Sequence, residues 1–225
     1  MYLFNAHLLN ADLLIDVFDI VGIVACSIAG TILAIRKNLD FFGCILISMV
    51  ASIGGGTLRD ILLNRYPLFW TIDLTYVYVI TITSIITQIT TNWYQTVNKS
   101  VDWLIRFFDA IGLSAFSVIG LTVALSYHHH PLIAVLMSVI TSVAGGILRD
   151  MICHQIPLVL QQEIYLSTCI IGSAMYFLLK YFSFSDNISQ LVMMLVVFVV
   201  RMLAISYNWN LPSLNLKKLL KRHYL

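Results

Sequence analysis

The chain has 225 residues, of which 60% are hydrophobic and 11% charged, with a mean hydropathy of +0.90 and a formal net charge of +2. Soluble domains carry about a quarter charged residues, so this composition excludes a water-soluble globule: there is too little polar surface to coat one. The small net charge also argues against a nucleic-acid partner.

A helix needs about 20 apolar residues to cross a hydrocarbon core of about 30 Å. Seven stretches qualify, at 13–35, 41–63, 72–93, 101–126, 131–153, 160–182 and 187–208. The residues ahead of them, Met1 to Asp16, lack a basic region followed by a cleavage site, so no removable signal peptide is expected.

The first segment places Asp19 inside an apolar run and carries Gly22, Cys26 and Gly30 at four-residue spacing, a stripe that lets helices pack closely. The second holds Ser52-Ile53-Gly54-Gly55-Gly56-Thr57-Leu58-Arg59-Asp60. Each helix-interior glycine costs about 1 kcal/mol relative to alanine. Consecutive glycines therefore predict either a break that frees carbonyls to line a pore, or a surface for close packing. The third segment opens at Asp73, read as a helix cap, and carries a polar stripe of Thr83, Thr87 and Thr91 with Gln88 nearby. The fourth brings Asp109. The fifth repeats the glycine pattern as Ser142-Val143-Ala144-Gly145-Gly146-Ile147-Leu148-Arg149-Asp150. Glu163 opens the sixth as a second cap, and Arg201 lies in the seventh, which has no counterpart in the repeat, where it can snorkel to the inner face or pair across helices.

Loop charge sets orientation. Lys217, Lys218, Lys221 and Arg222 form a polybasic tail suited to anionic lipid at the cytoplasmic face, so the N-terminus is expected outside. His128, His129 and His130 form a solvated loop rather than a metal site, since adjacent loop residues seldom bind one ion. Cys26, Cys44, Cys153 and Cys169 all fall in apolar stretches and read as buried hydrophobes.

Shifting the chain by 90 residues aligns it with itself. Of the 51 positions from 18 to 68, 17 are identical without a gap. They include Asp19 with Asp109, Gly22 with Gly112, Gly30 with Gly120, Gly55–Gly56 with Gly145–Gly146, Arg59–Asp60 with Arg149–Asp150 and Pro67 with Pro157. A unit of three helices is odd, so its second copy enters the membrane inverted, an arrangement common in transport proteins. The predicted fold is an all-α integral membrane protein with seven transmembrane helices: two inverted three-helix repeats plus a seventh helix. Residues 1–225 form a single membrane domain, with repeat one at about 13–93, repeat two at about 101–182, the seventh helix at about 187–208 and a basic cytoplasmic tail at 209–225.

Charges at membrane depth cost at least about 2.5–3.5 kcal/mol each and must be paired or wet. Helix neighbours at i and i+1 diverge, so Arg59 and Arg149 are expected to find partners on other helices. Depth predicts an outer Asp19–Arg59 layer and an inner Asp109–Arg149 layer, with the glycine breaks between them. The pairs can serve as gate charges or as clamps between helices. The sequence has no GxxxxGK[ST] phosphate loop, no HExxH and no arguable Ser–His–Asp set, so no enzyme, cofactor or metal centre is expected.

The paired Asp-x-x-Gly, Gly-Gly-x-x-Arg-Asp and Pro motifs, in seven helices, resemble the prokaryotic trimeric intracellular cation channel family. Its sequence domain has also been labelled a glycine transporter domain. The resemblance covers about residues 13–208. It implies a homotrimer in the bacterial inner membrane with a pore in each protomer, permeable to monovalent cations, mainly K+ and also Na+, among membrane lipids. It implies that the second and fifth helices line the pore. Gly54, Gly55, Gly56, Gly145 and Gly146 would be the bends, and Arg59–Asp60 and Arg149–Asp150 the polar ends. Ala144 stands where the first copy has Gly54, so the fifth helix is expected to bend less. A secondary transporter of a small zwitterion such as glycine is the alternative, with Asp60 and Asp150 available to an amine. A scaffold without transport is a third reading.

Overall fold

Hydrocarbon offers backbone polar groups no partners, so an apolar chain must satisfy its own N–H and C=O groups. The computed structural model describes residues 6–94, 100–161, 164–207 and 209, and every regular element among them is helical. These are α1 (Ala6–Arg36), α2 (Phe41–Leu62), α3 (Phe69–Ile72), α4 (Thr75–Tyr94), α5 (Ser100–Ser126), α6 (Pro131–Ile152), α7 (Leu158–Gln161), α8 (Leu166–Tyr181) and α9 (Asp186–Tyr207). Five contain a span long and apolar enough to cross a membrane: α1, α2, α5, α6 and α9. Helix α8 is a shorter apolar helix. Helix α4 is 20 residues long but rich in threonine. Thr87 and Thr91 donate to the carbonyls of Thr83 and Thr87 at 2.7 Å, so this stripe is satisfied within its own helix.

The third and sixth segments differ from the sequence expectation. Each starts with a separate four-residue helix, α3 or α7, before the long helix begins. The cause lies in the preceding helix, where Asp60 and Asp150 hold the first N–H of α3 and of α7.

Helix ends follow one rule. Asn38, Asn64, His128, His154 and Ser183 have positive φ, from 50° to 61°, just past the ends of α1, α2, α5, α6 and α8. The next residue returns its N–H to a carbonyl five positions back, as in Leu39 to Ala34 and Gln155 to Asp150. This is the Schellman closure, usually built with glycine. Here all 11 glycines lie inside helices.

Those glycines set the packing. Helices α1 and α2 run antiparallel, with Ser27 and Ser48 sharing a 2.6 Å hydrogen bond and Ser52 donating to the Ile23 carbonyl at 3.1 Å. Helix α5 crosses α1 at Gly22 and Gly112, where an added Cβ would meet Phe116 and the Cys26 sulfur. Helix α4 lies along α1, where Thr31 donates to Ser84 at 2.9 Å. Helix α8 packs on α6, and α9 packs on α8 and α5.

The closest approach is between α2 and α6. A Cβ on Gly55 would strike the Thr141 carbonyl oxygen, and one on Gly145 would strike the Ala51 carbonyl oxygen. These two contacts interchange under the 90-residue shift. Both helices run through their glycines without interruption. Neither helix is broken at Gly54–Gly56 or Gly145–Gly146. The glycines remove side chains so that two backbones can touch, and that contact offsets their cost in helix propensity.

Candidate functional site

Two buried charge clusters stand at the C-terminal ends of α2 and α6. In the second, Arg149 is 1% exposed. Its Nε donates to Asp150 Oδ1 at 2.8 Å, and its Nη1 donates to Asp109 Oδ1 on α5 at 3.3 Å. Tyr165 donates its hydroxyl to Asp109 Oδ2 at 2.6 Å. Asp150 accepts from Gln155 Nε2 at 3.0 Å and, through Oδ2, from the Leu158 N–H at 2.9 Å. Arg201 of α9 lays its guanidinium 4.2 Å from the Tyr165 ring centroid and donates to the Ile164 carbonyl at 3.1 Å. Gly146 faces this cluster. A Cβ there would lie 3.7 Å from Asp109 and 3.8 Å from Arg149 Nη2, in ordinary contact.

The first cluster repeats the plan with a difference. Arg59 donates through Nε to Asp60 Oδ1 at 2.8 Å, and Asp60 Oδ2 accepts from the Phe69 N–H at 3.1 Å. Arg65 stands at 3.6 Å from Asp60, in the position that Gln155 takes in the other copy. The Arg59 guanidinium lies 5.5 Å from the Phe69 ring centroid, a cation–π contact. Asp19 accepts from the Tyr76 hydroxyl at 2.9 Å.

Two expectations are corrected here. Each Arg pairs with the Asp next to it, although neighbours diverge on a helix. The long Arg side chain folds back along the helix end, and in a dry site the nearest carboxylate wins. Among the described residues no ion pair joins Asp19 to Arg59: Asp19 accepts from the Tyr76 hydroxyl through Oδ2, and Arg59 acts on it only at longer range. Asp109 and Arg149 do meet, as depth implied. Asp60 and Asp150 are each about fully buried with their oxygens occupied by their own chain, a clamp between a long helix and the short one after it.

Sequence reasoning missed Tyr76 and Tyr165. A shift of 90 pairs Tyr165 with Thr75, whereas a shift of 89 pairs it with Tyr76 and also aligns Ser84 with Ser173. One residue dropped after the proline conceals the match.

Of the three histidines, His128 adopts positive φ and His130 caps α6, its Nδ1 accepting from the Leu132 N–H at 3.2 Å. The triplet is the α5–α6 turn. Among the described residues no group of three or more His, Cys, Asp or Glu could hold a metal ion. Asp73 accepts from the Thr75 N–H at 2.8 Å, and hydrogen bonds from the Thr75 side chain and backbone hold its carboxyl below the usual carboxylate range. Glu163 and the basic tail, including Lys217, Lys218, Lys221 and Arg222, lie outside the described residues.

Paired charge clusters buried inside a bundle of apolar helices define a multi-pass membrane protein. A family model described as "Glycine transporter" matches residues 16–92 and 106–181, once for each copy of the repeat. The chain belongs to that family. It is 37% identical over 196 residues to the UPF0126 inner membrane protein YadS of Escherichia coli K12, covering 87% of this chain and 93% of that one. Its fold matches a prokaryotic TRIC channel in 0.5 M KCl with a TM-score of 0.82 at 32% identity, over 88% of this chain and 99% of the other. It also matches the trimeric intracellular cation channel orthologue of Rhodobacter sphaeroides, with a TM-score of 0.79 at 30% identity over 87% and 98%.

Proposed function

We propose that the chain is a cation channel of the bacterial inner membrane, permeable to K+, with a pore in each protomer of a homotrimer. The observation that carries this reading is the likeness to solved trimeric cation channels along almost the whole of both chains. In this reading seven helices cross the membrane: α1, α2, α4, α5, α6, α8 and α9, with the N-terminus outside. The two three-helix copies lie inverted. The reciprocal contacts Gly55–Thr141 and Gly145–Ala51 support that relation, since antiparallel helices of an inverted pair must cross in this exchanged way. Helices α2 and α6 flank the path, with Gly54, Gly55 and Gly145 at their crossing, Gly56 turned to the Phe69 ring and Gly146 to the Asp109–Arg149 cluster. The polar layers are Asp19, Arg59 and Asp60 at one end and Asp109, Arg149 and Asp150 at the other. With α2 and α6 in backbone contact, conduction requires them to part or slide.

The family description favours a second reading, a carrier of glycine or a similar zwitterion. Liposomes holding the purified protein separate the two. Passive K+ flux without saturable uptake of labelled glycine is expected. Saturable glycine uptake with no ion leak would make the protein a carrier.

A further inference from the structure

The two ends of the bundle are built from equivalent residues but carry opposite exposed charge. Helix directions define the ends. The first end holds the start of α1, the end of α2, α3 and the start of α4. The second holds the end of α1, the start of α5, the end of α6 and α7.

Three residues before Asp19 stands Asp16, and three before Asp109 stands Arg106, so the repeat carries opposite charges at one equivalent position. Asp16 is exposed and Arg106 partly so. At the first end Asp16, Asp19 and Asp73 all lie within electrostatic range of Tyr76. Arg65 opposes them, while Arg59 and Asp60 are spent on each other. Farther out, Lys180 and Asp186 pair at 3.0 Å. At the second end a cleft of about 300 Å³ opens between α1, α5 and the chain after α6, lined by Arg36, Lys37, Asp102, Arg106, Gln155 and Gln161 among others. Asp102 is held by Arg36, and Asp40 is occupied as the cap of α2. With Arg36 and Asp102 paired, Lys37 and the partly exposed Arg106 leave the cleft lining net positive. Gln155 also donates to Asp150, so this cleft rests directly on the buried Asp109–Arg149–Asp150 layer.

We infer that the permeation path is electrically polar, with an acidic mouth at Asp16 and a basic mouth at Arg106, and that cations pass more readily when driven in from the acidic side. This rests on the channel reading. A fixed charge about 8 Å from an ion in water changes its local concentration about twofold. An acidic entrance raises the supply of cations for one direction of drive, and a basic entrance lowers it for the other. Both effects add in sign. Screening shortens their reach to about 3 Å at 1 M salt.

The test uses the full-length protein in planar bilayers, recorded one insertion at a time so that orientation cannot average the asymmetry away. In symmetric KCl at about 0.05 M, currents at equal and opposite voltages should differ about two- to fourfold. At about 1 M KCl the ratio should approach one. Arg106→Asp should bring the low-salt ratio toward one, as should Asp16→Arg. The milder Arg106→Gln and Asp16→Asn should do half as much, and none of these changes removes a partner from the hydrogen bonds that hold Asp19, Asp109 or Arg149. A symmetric wild-type current at low salt, or a ratio untouched by all four variants, overturns the polarity while leaving the channel. Absence of any current from protein that elutes as a folded species overturns the channel reading and the polarity with it.

Discussion

Gly55 and Gly145 on one side and Gly146 on the other make a sharp comparison. All three are helical, and all three lie in the same motif. At Gly55 and Gly145 an added methyl group would fall on a carbonyl oxygen of the facing helix, and a backbone atom cannot swing aside. Overpacking of this kind costs about 1–3 kcal/mol, against a gain of up to about 1 kcal/mol from replacing helical glycine with alanine. Gly55→Ala and Gly145→Ala should therefore lose up to about 2 kcal/mol. At Gly146 the nearest atoms would be 3.7 Å or more away, so Gly146→Ala should keep the propensity gain of up to about 1 kcal/mol. For a chain of this size 1 kcal/mol corresponds to about 2–4 °C. Heating the detergent-solubilised variants and measuring what survives size-exclusion chromatography should place Gly146→Ala several degrees above the other two. Equal melting of all three would refute the close approach of α2 and α6. If the crossing also gates the path, the two clashing variants should change K+ flux while Gly146→Ala leaves it near wild type.

Other expectations concern the clusters and the turns. Arg149→Ala strands Asp109 and Asp150 without their cation in a buried site and should cost about 3–5 kcal/mol, seen as loss of folded protein on solubilisation. Arg149→Lys should rescue little, since a point charge cannot serve both carboxylates as the planar guanidinium does; wild-type yield from it would contradict the geometry. Tyr165→Phe leaves a buried Asp109 oxygen short of a donor, at about 1–3 kcal/mol. Tyr76→Phe should cost less, because Asp19 is only half-buried. Thermal melting of both variants checks that order. His130→Asp keeps an acceptor at the α6 N-cap and adds a charge suited to the helix dipole, so it should match or exceed wild-type stability, whereas His130→Ala should lose about 0.5–1 kcal/mol.

Much of this was legible in the sequence. The repeat, the membrane class and the Asp109–Arg149 contact follow from apolar length and from the spacing of like residues. What the sequence concealed was local. Helix geometry separates side chains at i and i+1, yet Arg59 and Arg149 are long enough to fold back onto Asp60 and Asp150 once water is excluded. Consecutive glycines were ambiguous between a break and a contact because propensity describes an isolated helix, while a facing helix decides the outcome. Tyr76 and Tyr165 were invisible at a fixed shift because the loop between motif and tyrosine differs by one residue. The division of the sixth segment depended on a side-chain-to-backbone bond from Asp150 that hydropathy does not register.

The bond from Asp60 to the Phe69 N–H, and its counterpart from Asp150 to Leu158, give the molecule a pair of linkages. Each carboxylate holds an arginine with one oxygen and the first turn of a short helix with the other. The short helix leads within a few residues to the start of α4 or α8, whose neighbouring tyrosine grips an aspartate on α1 or α5. Force applied at the end of α2 therefore reaches α1 by way of α3 and α4 through a closed loop of rigid parts. The end of each long helix is thus tied to the helix before it by a chain of named hydrogen bonds as well as by direct packing.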